Sequence, residues 1–114
     1  MSEAIKVAVM DDIEPEEAIV VDTDVTGFSE PIAVFRTEDD EFYALNDTCS
    51  HEDASLADGW IEGCEVECPI HTAKFCLKTG AVQCMPATED VASHKLELRG
   101  EEIWIYPGTP ATAE

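Results

Sequence analysis

Two short segments constrain this chain more than anything else in it: Cys49-Ser50-His51 and Cys68-Pro69-Ile70-His71, separated by residues 52–67. Each offers one thiolate and one imidazole at close spacing, a short bite for a metal. The chain has only three histidines, so two such pairs point to metal binding rather than to chance. Ligands of this kind can hold a single zinc ion as a Cys2His2 set. They can equally hold a two-iron cluster, with two cysteines on one iron and two histidines on the other. Composition does not choose between these. A zinc finger keeps both cysteines in one half and both histidines in the other. Here each half is mixed, which suits two loops that each contribute to both irons.

The surroundings of these segments read as short strands. Apolar runs recur at 5–9, 17–21, 31–36, 41–45, 63–67, 73–77, 81–84, 95–98 and 101–106. Asp-, Glu-, Gly- and Pro-rich separators divide them. Thr37-Glu38-Asp39-Asp40-Glu41-Phe42 reads as a hairpin turn, and Arg99-Gly100-Glu101 as a second between two alternating runs. No window offers a helical face of three turns. The expected class is all-β, a two-sheet sandwich or barrel. One domain over residues 1–106 is expected, followed by a flexible tail at 107–114. The ligand segments fall between strands, where loops present side chains from a rigid base.

Charge narrows the partners. With 26 acidic and 6 basic residues the formal net charge is -20, so little is available to neutralise phosphates, and nucleic acid and anionic membrane surfaces are excluded. A strongly negative surface suits basic patches on partner proteins. No apolar run approaches a membrane span, and residues 1–12 show no secretory pattern. Five cysteines without a disulfide-like spacing fit a reducing compartment. A cytoplasmic monomer is the expectation.

The motif and its flanks resemble the Rieske family. The likeness extends roughly from Val7 to Tyr106. It includes Phe42-Tyr43-Ala44-Leu45-Asn46-Asp47 before the first loop, Asp58-Gly59 between the loops, and Phe75-Cys76-Leu77-Lys78-Thr79-Gly80 after the second. Within that family the chain is similar to the ferredoxin components of bacterial aromatic-ring dioxygenase systems. The resemblance implies two packed sheets carrying a small cluster-binding subdomain formed by two loops, at about residues 47–84. It implies one 2Fe–2S cluster, with Cys49 and Cys68 on the buried iron and His51 and His71 on the outer one. It also implies a covering role for Pro86 in a third loop. The implied function is one-electron transfer from an NAD(P)H-dependent flavoprotein ferredoxin reductase to a terminal oxygenase, with no catalysis by this chain.

Departures from the respiratory branch carry information. That branch resembles itself in a loop-to-loop disulfide, for which this chain has Ala54 and Ile70. It also has a serine and a tyrosine that donate hydrogen bonds to cluster sulfurs, where this chain has Ala73 and Phe75. Such bonds stabilise the reduced cluster, so their loss lowers the potential, to about -150 mV. Alternatives are the small subunit of assimilatory nitrite reductase and a structural zinc module. An oxygenase large subunit is excluded, since its second iron site needs two further histidines and only His94 is left. Among the remaining residues, Cys64, Cys76 and Cys84 read as packed free thiols. His94 reads as a surface histidine, and Trp60 and Trp104 as packing anchors.

Overall fold

The computed structural model describes residues 4–47, 55–67, 74–77, 80 and 91–109. Nine strands form among them: β1 (Ile5–Val9), β2 (Glu17–Val21), β3 (Ile32–Arg36), β4 (Phe42–Asn46), β5 (Trp60–Glu62), β6 (Glu65–Glu67), β7 (Lys74–Cys76), β8 (Ser93–Arg99) and β9 (Glu102–Tyr106). All pairings are antiparallel. One sheet has six strands in the order β1-β9-β8-β4-β3-β2, and the other has three in the order β5-β6-β7. Helical structure among the described residues is confined to single turns at Met10–Asp12, Thr23–Thr26 and Leu56–Asp58. The all-β expectation holds. The run expected at 81–84 lies outside the described residues.

Both expected hairpins form. Between β3 and β4 the last pair is Arg36↔Phe42, and Thr37 N–H donates to the Glu41 carbonyl at 2.8 Å. The Thr37 hydroxyl accepts from Glu41 N–H, and Asp40 takes a left-handed φ of 63°, which aspartate tolerates better than most residues. Between β8 and β9, Arg99 pairs with Glu102, leaving Gly100-Glu101 as a two-residue turn of the kind that joins twisted strands.

The large sheet curls because β8 serves two neighbours. Its first two residues pair with β4 and the next five with β9. The β1-β9 half therefore folds over the β4-β3-β2 half. Between them lies a core of Ile13, Val21, Ile32, Val34, Phe42, Ala44, Ile103 and Ile105.

Strand β3 explains how a second layer attaches. Four of its five residues are fully buried, so both faces are covered. Ile32 and Val34 point into the curled sheet. Ala33 and Phe35 point the other way and meet Leu45, Leu56, Ile61, Val66, Phe75, Leu77 and Val91. This second core joins the three-stranded sheet to the outer face of β3 and β4. The period-two alternation of a strand thus assigns alternate residues of one segment to two separate cores.

The segment from residue 107 is tied down at its start. Lys95 N–H donates to the Thr109 carbonyl at 2.7 Å, and Thr109 N–H donates to Tyr106. Residues 110–114 lie outside the described residues.

Candidate metal centre

Strand β4 runs toward the first ligand segment and ends at Asn46, next to Asp47. Asp47 is buried and acts as a clasp. Its Oδ1 accepts from the Ser55 hydroxyl at 2.7 Å and from Ala57 N–H at 3.0 Å. Its carbonyl accepts from Leu56 N–H at 2.7 Å, and its N–H donates to Pro31 at 2.9 Å. Asp47 and Ser55, which flank Cys49 and His51 in sequence, are therefore held together at one point.

The second segment is closed by strand pairing. Glu67 ends β6, Lys74 begins β7, and the two are partners in register. Cys68 and His71 lie in sequence between these two paired residues. The bases of the two segments are also brought together. The turn at Leu56–Asp58 returns the chain so that Trp60 pairs with Glu67. Gly59 makes this approach possible, since a Cβ there would collide with the Glu67 carbonyl.

A third closure lies beside the first. Gly80 N–H donates to Cys76 at 2.7 Å, Val91 N–H to Gly80 at 2.9 Å, and Asn46 N–H to Ala92 at 2.8 Å. Gly80 has a φ of 78°, and a Cβ on it would strike the Val91 carbonyl. Residues 81–90, with Cys84 and Pro86, are thus bracketed at the end of β4.

Cys49, His51, Cys68 and His71 themselves lie outside the described residues, as do Ala54, Ile70, Ala73, Cys84 and Pro86. The described frame fits the group that their chemistry implies. The described residues that flank the two segments adjoin one another through the Trp60–Glu67 pair, and a cluster bridging two such segments would need that arrangement. Phe75 is fully buried in the second core and carries no hydroxyl, so it donates no hydrogen bond to a cluster sulfur.

Three readings of single residues change. Cys64 occupies the turn between β5 and β6 rather than a strand. It is a half-buried free thiol that contacts the Tyr43 hydroxyl. Burial, then Glu41 and Cys64, push that hydroxyl up to about 12, so it stays protonated. Trp60, read as a packing anchor, is 59% exposed: it lies on the solvent side of β5, and Ile61 takes the inward position. His94, read as a surface residue, is 1% exposed.

His94 belongs to a hydrogen-bonded chain that ends beside the first loop. Gly108 N–H donates to Nδ1 at 3.0 Å, so Nδ1 is the unprotonated nitrogen and Nε2 carries the hydrogen. Nε2–H donates to Asn46 Oδ1 at 2.7 Å, and Asn46 Nδ2 donates to Glu30 Oε2 at 2.8 Å. The Phe28 ring stands edge-on to the imidazole at 4.8 Å. Burial lowers the His94 pKa to about 4, consistent with the neutral tautomer that these bonds require. No local sequence signal marks this chain, because its members come from distant segments.

The fold and frame define a class, and the comparisons agree: the chain belongs to the Rieske 2Fe-2S domain family, which matches residues 3–95. More narrowly, it is 43% identical over 95 residues to the 3-phenylpropionate/cinnamic acid dioxygenase ferredoxin subunit of Escherichia coli K12, covering 82% of this chain and 84% of that one. Among solved structures it is similar to the ferredoxin of carbazole 1,9a-dioxygenase from Nocardioides aromaticivorans IC177. That match has a TM-score of 0.82 and 31% identity over 93% of this chain and 99% of that one. A complex of reduced oxygenase and oxidized ferredoxin in carbazole 1,9a-dioxygenase gives a TM-score of 0.83 at 30% identity, with full coverage of both chains. The chain is an electron carrier with one Rieske-type 2Fe–2S cluster, which removes the zinc-module alternative. It is a ferredoxin-type transfer component and not a catalytic oxygenase.

Proposed function

We propose that this protein takes single electrons from an NAD(P)H-dependent flavoprotein reductase and passes them to a terminal aromatic-ring oxygenase, as a monomer in the cytoplasm. Cys49, His51, Cys68 and His71 would hold the cluster, with the histidines on the outer iron. The observation that carries this reading is the joined base of the two loops: the Asp47 clasp on one side, the Glu67–Lys74 pair on the other, and Gly59 between them. The cluster supplies reversible one-electron chemistry. The chain's own residues supply position. Asp47 and Ser55 fix where the first loop emerges, β6 and β7 fix the second, and the second core anchors both to β3 and β4.

The oxygenase partner is supported by the relative's name and by the ferredoxin–oxygenase complex. The absence of a donor at Phe75 supports a potential at the low end of the Rieske range, about -150 mV. Protein prepared anaerobically with iron is expected to be red-brown, with two irons and two acid-labile sulfides per chain. It should bleach on reduction with dithionite. Cys68→Ser should abolish the visible spectrum, and Cys64→Ser should leave it intact. A Cys68→Ser protein that keeps its colour overturns the ligand set, and a strongly positive midpoint in a redox titration overturns the reading of Phe75.

A further inference from the structure

The three-stranded sheet has two unlike faces. Ile61, Val66 and Phe75 point inward to the second core. The alternate residues point to solvent: Trp60 and Glu62 on β5, Glu65 and Glu67 on β6, Lys74 and Cys76 on β7. Their registers place them side by side, as Trp60↔Glu67, Glu62↔Glu65, Glu67↔Lys74 and Glu65↔Cys76. Three carboxylates stand against one ammonium, and Lys74 already bridges Glu62 at 3.4 Å. The largest apolar group on this face is the exposed Trp60 ring, which lies on an edge strand beside the residue that precedes Cys68.

The other tryptophan shows what such a ring accepts. The Arg99 guanidinium lies over Trp104 at 4.2 Å from the ring centroid, and Trp104 Nε1 donates to Glu102. Trp60 has no cation over its ring among the described residues; Glu67 pairs with it across the strand, and Glu62, two residues on, is bridged by Lys74. A guanidinium stacked on an indole while paired with neighbouring carboxylates satisfies both groups. A second copy of this chain is a poor occupant, since a net charge of -20 repels its like.

We propose that the outer face of β5-β6-β7, centred on Trp60 with Glu62 and Glu65, is the docking surface for an arginine- and lysine-rich patch on the redox partner. On the reading above, that partner is the terminal oxygenase. The face ends at the Glu67–Lys74 pair, the residues that border the second ligand segment in sequence. Trp60 contributes buried area and a cation–π contact, and the glutamates contribute steering.

The test uses the cluster-loaded protein and mitochondrial cytochrome c, a lysine-rich haem protein, as the basic probe. Calorimetric titration reads docking without needing an electron, and stopped-flow reduction reads transfer. Trp60→Ala is expected to weaken binding about tenfold, with Trp60→Phe in between. Glu62→Gln/Glu65→Gln is expected to slow association about three- to tenfold at low ionic strength, a difference that salt removes. Glu38→Gln/Asp39→Asn removes the same charge from the β3–β4 turn, at the opposite end of β4, and should change either rate by less than about twofold. Visible spectra confirm that each variant retains its cluster. Equal effects from the face and turn variants overturn the proposal, and so does a concentration-dependent self-association that Trp60→Ala removes. If titration shows the expected pattern but the loaded protein transfers no electron, the docking surface stands and the electron-carrier pathway falls.

Discussion

The six-stranded and three-stranded sheets solve the problem of burial differently. The large sheet curls until its own faces meet, and Ile32, Val34, Ile103 and Ile105 are buried by residues of the same sheet. Its strands run five to seven residues. The small sheet has strands of three residues. Its inner side chains are buried only because Ala33, Phe35 and Leu45 of the large sheet lie beneath them. The large sheet is a scaffold that closes on itself. The small one is a mount, held below by a borrowed core and, on the proposed ligand set, above by the cluster. The part that carries the chemistry is therefore the part with the least folding energy of its own.

The largest expected effect comes from removing the cluster. Where ligand binding to a metal contributes folding free energy, its loss should fall on the mount. Hydrogen exchange of the apo-protein is expected to show lost protection across 60–67 and 74–77, with 32–36, 42–46 and 93–106 still protected. Uniform loss would break the comparison. Next is Phe75→Ala, which removes the largest side chain from the inner face of the small sheet. Such truncations cost about 3–5 kcal/mol. Cluster retention should fall well before the large sheet unfolds in a urea titration followed by visible absorption and far-UV dichroism together.

The scaffold has its own sensitivity, set by His94. Its pKa is lowered from 6.5 to about 4 in the folded protein, so the unfolded chain binds a proton that the folded one refuses. The stabilisation is fully present above about pH 6.5 and is lost as pH falls toward 4, up to about 3 kcal/mol in all. His94→Gln should flatten the pH dependence of the urea midpoint over that window, and an unchanged slope would reassign it to the carboxylates. The smallest effect is expected from Ser55→Ala. It removes one of the two donors to Asp47 Oδ1 among the described residues and should cost about 1 kcal/mol, read as faster cluster loss with little change in the scaffold's midpoint.

Legibility in the sequence followed the same division. Strands β1 and β2 lie where alternation and separators place them, and Gly100 marks its hairpin, because these signals are local. Strand β5 was not legible: Trp60-Ile61-Glu62 is too short to show a period, and only pairing with β6 makes it a strand. For the same reason the exposure of Trp60 could not be read from its type. The burial of His94 was illegible because its partners lie 48 and 14 residues away, at Asn46 and Gly108. The proposed ligand pattern rests on residue types and spacing, while the family itself is shown by the match over residues 3–95. What the sequence could not show is how the residues flanking the pattern's two halves are brought together, which depends on Asp47, Gly59 and the pairing of Glu67 with Lys74.

The contact between Gly80 and Val91 has a consequence for engineering. Because the chain is pinched shut there, a change of length between Gly80 and Val91 is expected to leave the strands on either side in register. Doubling such a span costs only about 0.6 kcal/mol in closure entropy. Swapping that segment between relatives is expected to leave both layers intact.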